Sequence, residues 1–140
     1  MMFEFTLKPP GDVAYSFQKT GGNLGEGLGA EIKAVCSAPA KFAGREATVL
    51  LTSSLEFEDA EFLKAKHPTR SVGQVFADKN NVEALATVPA GRLLPLMAAI
   101  AAGQIAYISF YVGPFKARRA DASGYHFEGQ AQREASLTHP

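Results

Sequence analysis

Apolar and polar residues alternate with a period of two along most of the first ninety positions. Phe3, Phe5 and Leu7, for example, alternate with polar or charged neighbours. The same alternation is found in residues 30–36, 46–57, 71–77 and 82–88. Because successive side chains of a strand point to opposite faces, the pattern predicts strands with one face in a core and one in water. Such strands are typical of antiparallel sheets.

Short clusters of Pro, Gly, Asn and Asp separate these segments and predict turns. Pro9-Pro10-Gly11-Asp12 predicts a hairpin between residues 2–8 and 13–18. Asp78 to Asn81 predicts a second hairpin, and Asp121 to Gly124 predicts a turn before a last strand over 125–129.

One long uncharged run, Leu93 to Phe115, interrupts the alternation. Its first part, 93–102, predicts a helix with Pro95 in its first turn and Gly103 after its end. From Gln104 to Gly113 the period returns to two, which predicts a central strand covered on both faces, partly by a partner. A membrane span is the alternative because the run exceeds about 18 residues. The proline and glycine breaks argue against it.

The elements together predict a mainly β (α+β) fold. We expect an antiparallel β-sandwich or barrel of about seven to nine strands, with one buried helix near 92–102. Acids lead and lysines trail over residues 58–66, which is compatible with a short helix. Residues 1–129 are expected to form a single globular domain, and 130–140 a polar C-terminal tail that frays.

Composition narrows the classes of function. Fourteen basic residues balance fourteen acidic ones among 140, so the chain has no net basic charge of the kind that nucleic-acid binders use. One cysteine, Cys36, excludes an internal disulfide, and the start MMFEFTLK resembles no secretory signal. A cytoplasmic protein with neither nucleic acid nor membrane as a partner is therefore expected.

The glycine-rich stretch from Thr20 to Gly29 lacks the spacing of a Walker loop or of a dinucleotide-binding loop. We interpret it as a connecting loop, which in a ligand-binding barrel would serve as a lid.

Catalytic and metal-binding motifs are scarce. The histidines are His67, His126 and His139, and no GxSxG elbow occurs. His126 and Glu128 share a strand face, but two or three ligands fall short of a metal site. No metal and no cofactor is predicted, and the chain is interpreted as a non-enzymatic protein. An enzyme whose site is assembled by the fold remains an alternative.

The best functional candidates follow the uncharged run. Tyrosine and arginine are enriched at recognition surfaces, and arginine suits carboxylate and phosphate groups. The candidate ligand- or partner-binding residues are Tyr107, Tyr111, Lys116, Arg118, Arg119 and His126. The competing interpretation is that the tyrosines are packing residues and the basic residues are solvated.

Two functions follow from this candidate region. The first is a non-enzymatic binding or assembly module that acts through a β-sheet surface, as a homo-oligomer or with a protein partner. The alternative is a β-barrel that binds a small anionic or apolar ligand, with the 20–29 loop as its lid.

Overall fold

The structure, a computed structural model, describes residues 1–20, 23–54 and 72–138. The strands are β1 Met2–Thr20, β2 Asn23–Ala38, β3 Glu46–Ser54, β4 Gly73–Ala77, β5 Val82–Pro89, β6 Tyr107–Val112 and β7 Arg119–Glu128. The helices are α1 Ala90–Ala101 and α2 Gln130–Thr138, with a 3-10 turn at Ala40–Phe42. The helix predicted over 58–66 lies outside the described residues.

The strands close into a barrel in the order β1-β2-β3-β5-β4-β7-β6. The prediction of a mainly β fold with about seven to nine strands is confirmed, and the architecture is a barrel. Six of the seven neighbouring pairs are antiparallel, but β3 and β5 run parallel, with Val49 opposite Ala84. The alternation of apolar residues is the same in either direction, so the pattern could not reveal this pair.

The predicted inward positions form the core. Phe3 and Phe5 of β1, Ile32 of β2, Val49 of β3 and Phe110 of β6 are completely buried. They belong to one hydrophobic cluster that fills the inside of the barrel. A small barrel leaves just enough interior for its own side chains.

The predicted hairpin at Pro9-Pro10-Gly11-Asp12 is wrong, because β1 continues through it. The pairing of β1 with β2 shifts register between Lys8 and Asp12, and Gly11 has a positive φ of 85°. Proline and a left-handed glycine are tolerated at such a bulge as well as at a turn. The predicted loop over Thr20 to Gly29 is also wrong for its described part, since Asn23 onwards belongs to β2.

The predicted turn at Asp121–Gly124 lies inside β7 and is a bulge. Tyr111 faces Gly124 and Val112 faces Ala122, which leaves Ser123 without an opposite residue. The chain reverses earlier, at Ala117 and Arg118, whose φ angles are 52° and 73°. Two consecutive left-handed residues make the tight hairpin turn that matches the twist of its strands.

The uncharged run changes from helix to strand around Gly103, as predicted. Gly103 has a φ of 78° and follows the end of α1. The helix begins at Ala90, however, so Pro95 lies in its second turn. Leu93, Met97 and Ile100 are buried in the core, whereas Leu94 is 55% exposed, so the burial of α1 is one-sided. The helix packs on β1, β2, β3 and β5 and covers the end of the barrel where β3 and β5 finish.

Residues 130–138, most of the segment predicted to be a polar tail, form the helix α2. Tyr107 and Arg133 are in contact, which places α2 on the outer face of β6. The expected cover on that strand is therefore supplied in part by the chain itself.

Candidate functional site

The six candidate residues lie in two separate regions along β6 and β7. Tyr107 and His126 lie under or beside α2, while Lys116, Arg118 and Arg119 surround the tight turn at the other end of these strands. Tyr111 lies between the two regions, exposed on the outer face opposite Met2 and Gly124. The structure therefore does not bring the six residues into a single site.

A pocket of about 380 Å³ opens beside the tight turn. We call it the end pocket; it is lined by Met1, Pro39, Lys41, Phe42, Ala77, Phe115 and Arg118. Of the six candidates, Arg118 alone lines it. The other lining residues could not be predicted from the sequence, because the 3-10 turn and the β6–β7 connection carry no local motif.

Two phenylalanines make the apolar part of the end pocket. The rings of Phe42 and Phe115 lie 5.7 and 5.6 Å from the ring of Phe3, which is in the core. The 3-10 turn holds Phe42 in place, with the amide of Ala43 bonded to the carbonyl of Ala40. The floor of the pocket is therefore anchored to the packed interior.

Cationic groups surround this floor. The ammonium of Lys41 lies 5.5 Å from the centre of the Phe42 ring, and the guanidinium carbon of Arg45 lies 5.1 Å from it. Arg118 is 70% exposed and lies 3.9 Å from the carboxylate of Asp78. Among the described residues Lys41 has no acidic partner within 4 Å.

The carboxylate of Asp78 offsets only part of the positive charge near the end pocket. Its carboxylate accepts hydrogen bonds of 2.7 Å from the amides of Asn80 and Asn81, and these bonds lower the pKa of Asp78. Arg45 donates to the carbonyl of Asp78, at 2.8 Å, and not to its carboxylate. The lining of the pocket thus carries two cations, Lys41 and Arg118, while Arg45 contacts the ring of Phe42 and the carboxylate of Asp78 already accepts two backbone hydrogen bonds.

The other two basic candidates lie on the opposite side of the tight turn. Lys116 and Arg119 line a smaller cleft of about 220 Å³ together with Gly113, Pro114 and Asp121. The backbones of Lys116 and Arg119 pair with each other, so the turn that aims Arg118 at the end pocket aims these two elsewhere.

A second polar group lies under α2, on the outer face of β1, β6 and β7. Arg133 donates to Glu4 and lies 3.6 Å from Glu128, and its guanidinium is 4.5 Å from the centre of the Tyr107 ring. The hydrogen bond to Glu4 raises the pKa of Arg133 further, against the opposite effect of burial. His126 adjoins this group, 3.6 Å from Glu128.

The described residues offer little for catalysis or metal binding. No three His, Cys, Asp or Glu side chains within them are grouped as metal ligands. The thiol of Cys36 is buried and lies 3.2 Å from the carbonyl of Ala38, and burial raises the pKa of Cys36. His67 and His139 lie outside the described residues.

The distal parts of β1 and β2 form a two-stranded arm. Pairing of β1 with β6 ends at Thr6, whereas pairing of β1 with β2 continues to Thr20. On the arm, Val13 and Tyr15 are 47% and 60% exposed. We use the word arm for residues 12–20 and 23–31, of which residues 29–31 also pair with β3.

Comparison of the chain with models of known protein families, with curated proteins and with solved structures gives no match. Neither helix in the described part of the chain has the length and apolar character needed to cross a membrane.

Proposed function

We propose that this protein is a non-enzymatic binding module whose end pocket takes a small molecule with an anionic group on an apolar body. One observation carries the proposal. The apolar floor of Phe42 and Phe115 lies directly beside the cationic rim of Lys41 and Arg118. An aromatic surface with a few polar groups at its edge is the usual composition of a ligand pocket.

The volume and the charge of the pocket define the class of ligand. About 380 Å³ is at the small end of the usual range for ligand pockets. A carboxylate or sulfonate of the ligand would lie between Lys41 and Arg118, and its alkyl or aryl part would lie on the phenylalanine rings. Burial of the apolar part contributes affinity, while the two cations select for negative charge.

The end of the barrel is a better candidate than its interior. Phe3, Phe5 and Phe110 fill the inside and are completely buried, so an interior ligand would have to displace packed side chains. The sequence also suggests residues 20–29 as the lid of a ligand-binding barrel. We do not propose this role, because residues 23–29 belong to β2 and pair with β1. The ligand class of that alternative remains, at a different site.

The test compares three probes that share an eight-carbon chain: octanoate, octanol and octylamine. Titration followed by amide shifts in ¹⁵N-labelled protein gives both the affinity and the location of binding. We expect octanoate to bind at least about tenfold more tightly than octanol, octylamine to bind most weakly, and salt to weaken octanoate binding. The shifted amides should be those of the 3-10 turn and the β6–β7 turn.

Two variants and a matched control connect the result to the pocket. Lys41→Ala and Arg118→Ala should each weaken octanoate binding about three- to tenfold without changing octanol binding. Lys33→Ala is the control, because Lys33 is an exposed lysine of the barrel wall outside the lining of the pocket. Equal affinity for octanoate and octanol, or shifts located elsewhere, would refute the proposal.

Assembly is the second candidate function, and it rests on the arm. Val13 and Tyr15 expose apolar surface on the 12–20 segment of β1, which among the described residues pairs only with β2. Exposed strand edges with apolar side chains are surfaces on which chains pair. Light scattering over a range of concentrations should then show an oligomer that Val13→Ser with Tyr15→Ser dissociates.

The control for the assembly test is Leu94→Ser, which removes an equally exposed apolar side chain from α1. A wild-type monomer at every concentration, or dissociation by the control alone, would exclude assembly through the arm.

A further inference from the structure

Three side chains on the outer face of the barrel surround one guanidinium group. Glu4 comes from β1, Tyr107 from β6 and Glu128 from β7, and these three strands are neighbours. Tyr107 lies opposite Glu128 in the β6–β7 pair, and Glu4 lies on the other side of β6. The guanidinium of Arg133 contacts both carboxylates and the ring.

The burial of Glu4 is unusual for its place in the fold. Outward positions of a barrel strand are normally solvated, yet Glu4 is only 5% exposed. Its hydrogen-bond partner is Arg133, from a helix 129 positions away in sequence. A carboxylate buried in this way is costly unless a cation pairs with it, and here the guanidinium of Arg133 is that cation.

The chemistry of the site suits guanidinium better than ammonium. Two carboxylates can accept several N–H groups of one planar ion, and an aromatic ring can stack on its face. Ser109, which faces Glu4 across β1 and β6, is small and buried, so it leaves room beside the carboxylate. An ammonium group can neither stack as a plane nor bridge two carboxylates in the same way.

Most of the described side chains of the helix that supplies Arg133 are in contact with water. Residues 130, 131, 132, 134 and 135 are exposed, and Arg133 is the one partly buried position among the described side chains of α2. Another contact of α2 is the hydrogen bond from Tyr107 to Gln130. The contacts of Arg133 with Glu4 and of Gln130 with Tyr107 are polar, and salt weakens the ionic one.

We propose that Glu4, Tyr107 and Glu128 form a guanidinium-binding site, that α2 fills it in cis with Arg133, and that it takes an arginine side chain of a partner segment when α2 is displaced. The site lies at the opposite end of β6 and β7 from the tight turn and is independent of the end pocket. Its ligand class is an arginine-bearing peptide.

The first experiment empties the site and refills it with a small molecule. In Arg133→Ala, millimolar ethylguanidinium should raise the melting temperature and shift the amides of residues around Glu4 and Glu128, whereas ethylammonium should do neither at the same concentration. In the double variant Glu4→Gln with Arg133→Ala the response should fall at least about tenfold. If Arg133→Ala is unfolded alone, ethylguanidinium should refold it and ethylammonium should not.

The second experiment tests displacement in the intact chain. N-acetylarginine amide should bind Arg133→Ala, and should bind wild type only at concentrations at least about tenfold higher, with the amide signals of α2 moving towards unstructured positions. N-acetyllysine amide is the matched control. Equal responses to the arginine and lysine probes, or a response of Arg133→Ala that does not depend on Glu4, would overturn the proposal. Wild-type binding that leaves the α2 signals unchanged would also overturn it.

Discussion

Glu4 and Ser109 face each other across the β1–β6 pair, and both are buried on the outer side of the barrel. Polar side chains in such places need hydrogen-bond partners. Among the described residues, no buried side-chain nitrogen or oxygen lacks one. For Glu4 the partner is Arg133 of α2, so this helix completes the polar layer over these strands.

The first prediction concerns the stability that this contact contributes. Glu4→Gln keeps the size of the side chain but removes its charge, so the remaining hydrogen bond to Arg133 is weaker. We expect the free energy of unfolding to fall by roughly 1–2 kcal/mol. Urea denaturation measures it.

An exposed ion pair provides the comparison. Glu31 and Lys33 are 3.0 Å apart on the barrel wall, with both side chains in contact with water. Glu31→Gln should therefore change the stability by no more than about 0.5 kcal/mol. Equal losses in the two variants would mean that the burial of Glu4 has no energetic consequence.

The second prediction concerns pH and the β4–β5 turn. Backbone hydrogen bonds lower the pKa of Asp78 from its ordinary value of 3.8. Between the folded and unfolded pKa values the unfolded chain binds more protons, so stability rises with pH there. The contribution of Asp78 is full above about pH 5 and is lost as pH falls through the folded-state pKa.

Asp78→Ala should accordingly be less stable than wild type at neutral pH, and the difference should shrink as pH falls below about 4. Urea denaturation at a series of pH values measures the difference. Lys79→Ala is the control, because it removes a side chain from the same turn without removing either hydrogen bond. A difference that persists unchanged at pH 2.5 would contradict the assignment.

The inward-facing residues and the change at Gly103 could be predicted from the sequence because both depend on local periodicity. The hairpin turn at Asp78 to Asn81 was predicted as well, but the direction of the β3–β5 pair and the other turns could not be predicted. Proline and glycine clusters are equally compatible with a bulge, as at Gly11 and Ser123, and with a turn. The parallel β3–β5 pair has the same alternation as an antiparallel one.

The candidate site could be predicted only in part, because closeness in sequence does not determine closeness in the fold. Tyrosines and basic residues near one another in sequence were grouped, but strand direction sends Tyr107 and Arg118 to opposite ends of β6 and β7. Glu4 and Arg133 are 129 positions apart in sequence, so no local pattern predicts their contact. Phe42 and Lys41 reach the end pocket through a 3-10 turn, for which the sequence carries no local motif.

The third prediction concerns close backbone contact at Gly73. A Cβ at this position would overlap the carbonyl oxygen of Leu85 and lie 3.3 Å from the Cα of Ala86. Both neighbours are backbone atoms of the adjacent strand, which cannot move independently. Gly73→Ala should therefore lower the free energy of unfolding by about 2–3 kcal/mol, measured by urea denaturation.

Gly113→Ala is the matched control, since a Cβ there would meet no atom within 4 Å. Replacing this glycine reduces the freedom of the unfolded chain, so a change of less than about 1 kcal/mol in the stabilising direction is expected. If the two substitutions had the same effect, the close approach of β4 and β5 would be incorrect.

The last prediction concerns the one-sided packing of α1. Leu93 and Leu94 are adjacent in sequence, but Leu93 is fully buried in the core and Leu94 is 55% exposed. Leu93→Ala leaves a cavity at the covered end of the barrel and should cost about 2–5 kcal/mol. Leu94→Ala removes apolar surface that already contacts water, so its effect should stay within about 0.5 kcal/mol. Urea denaturation of both variants distinguishes a helix that covers the barrel with one face from a helix buried on all sides, for which the two losses would be alike.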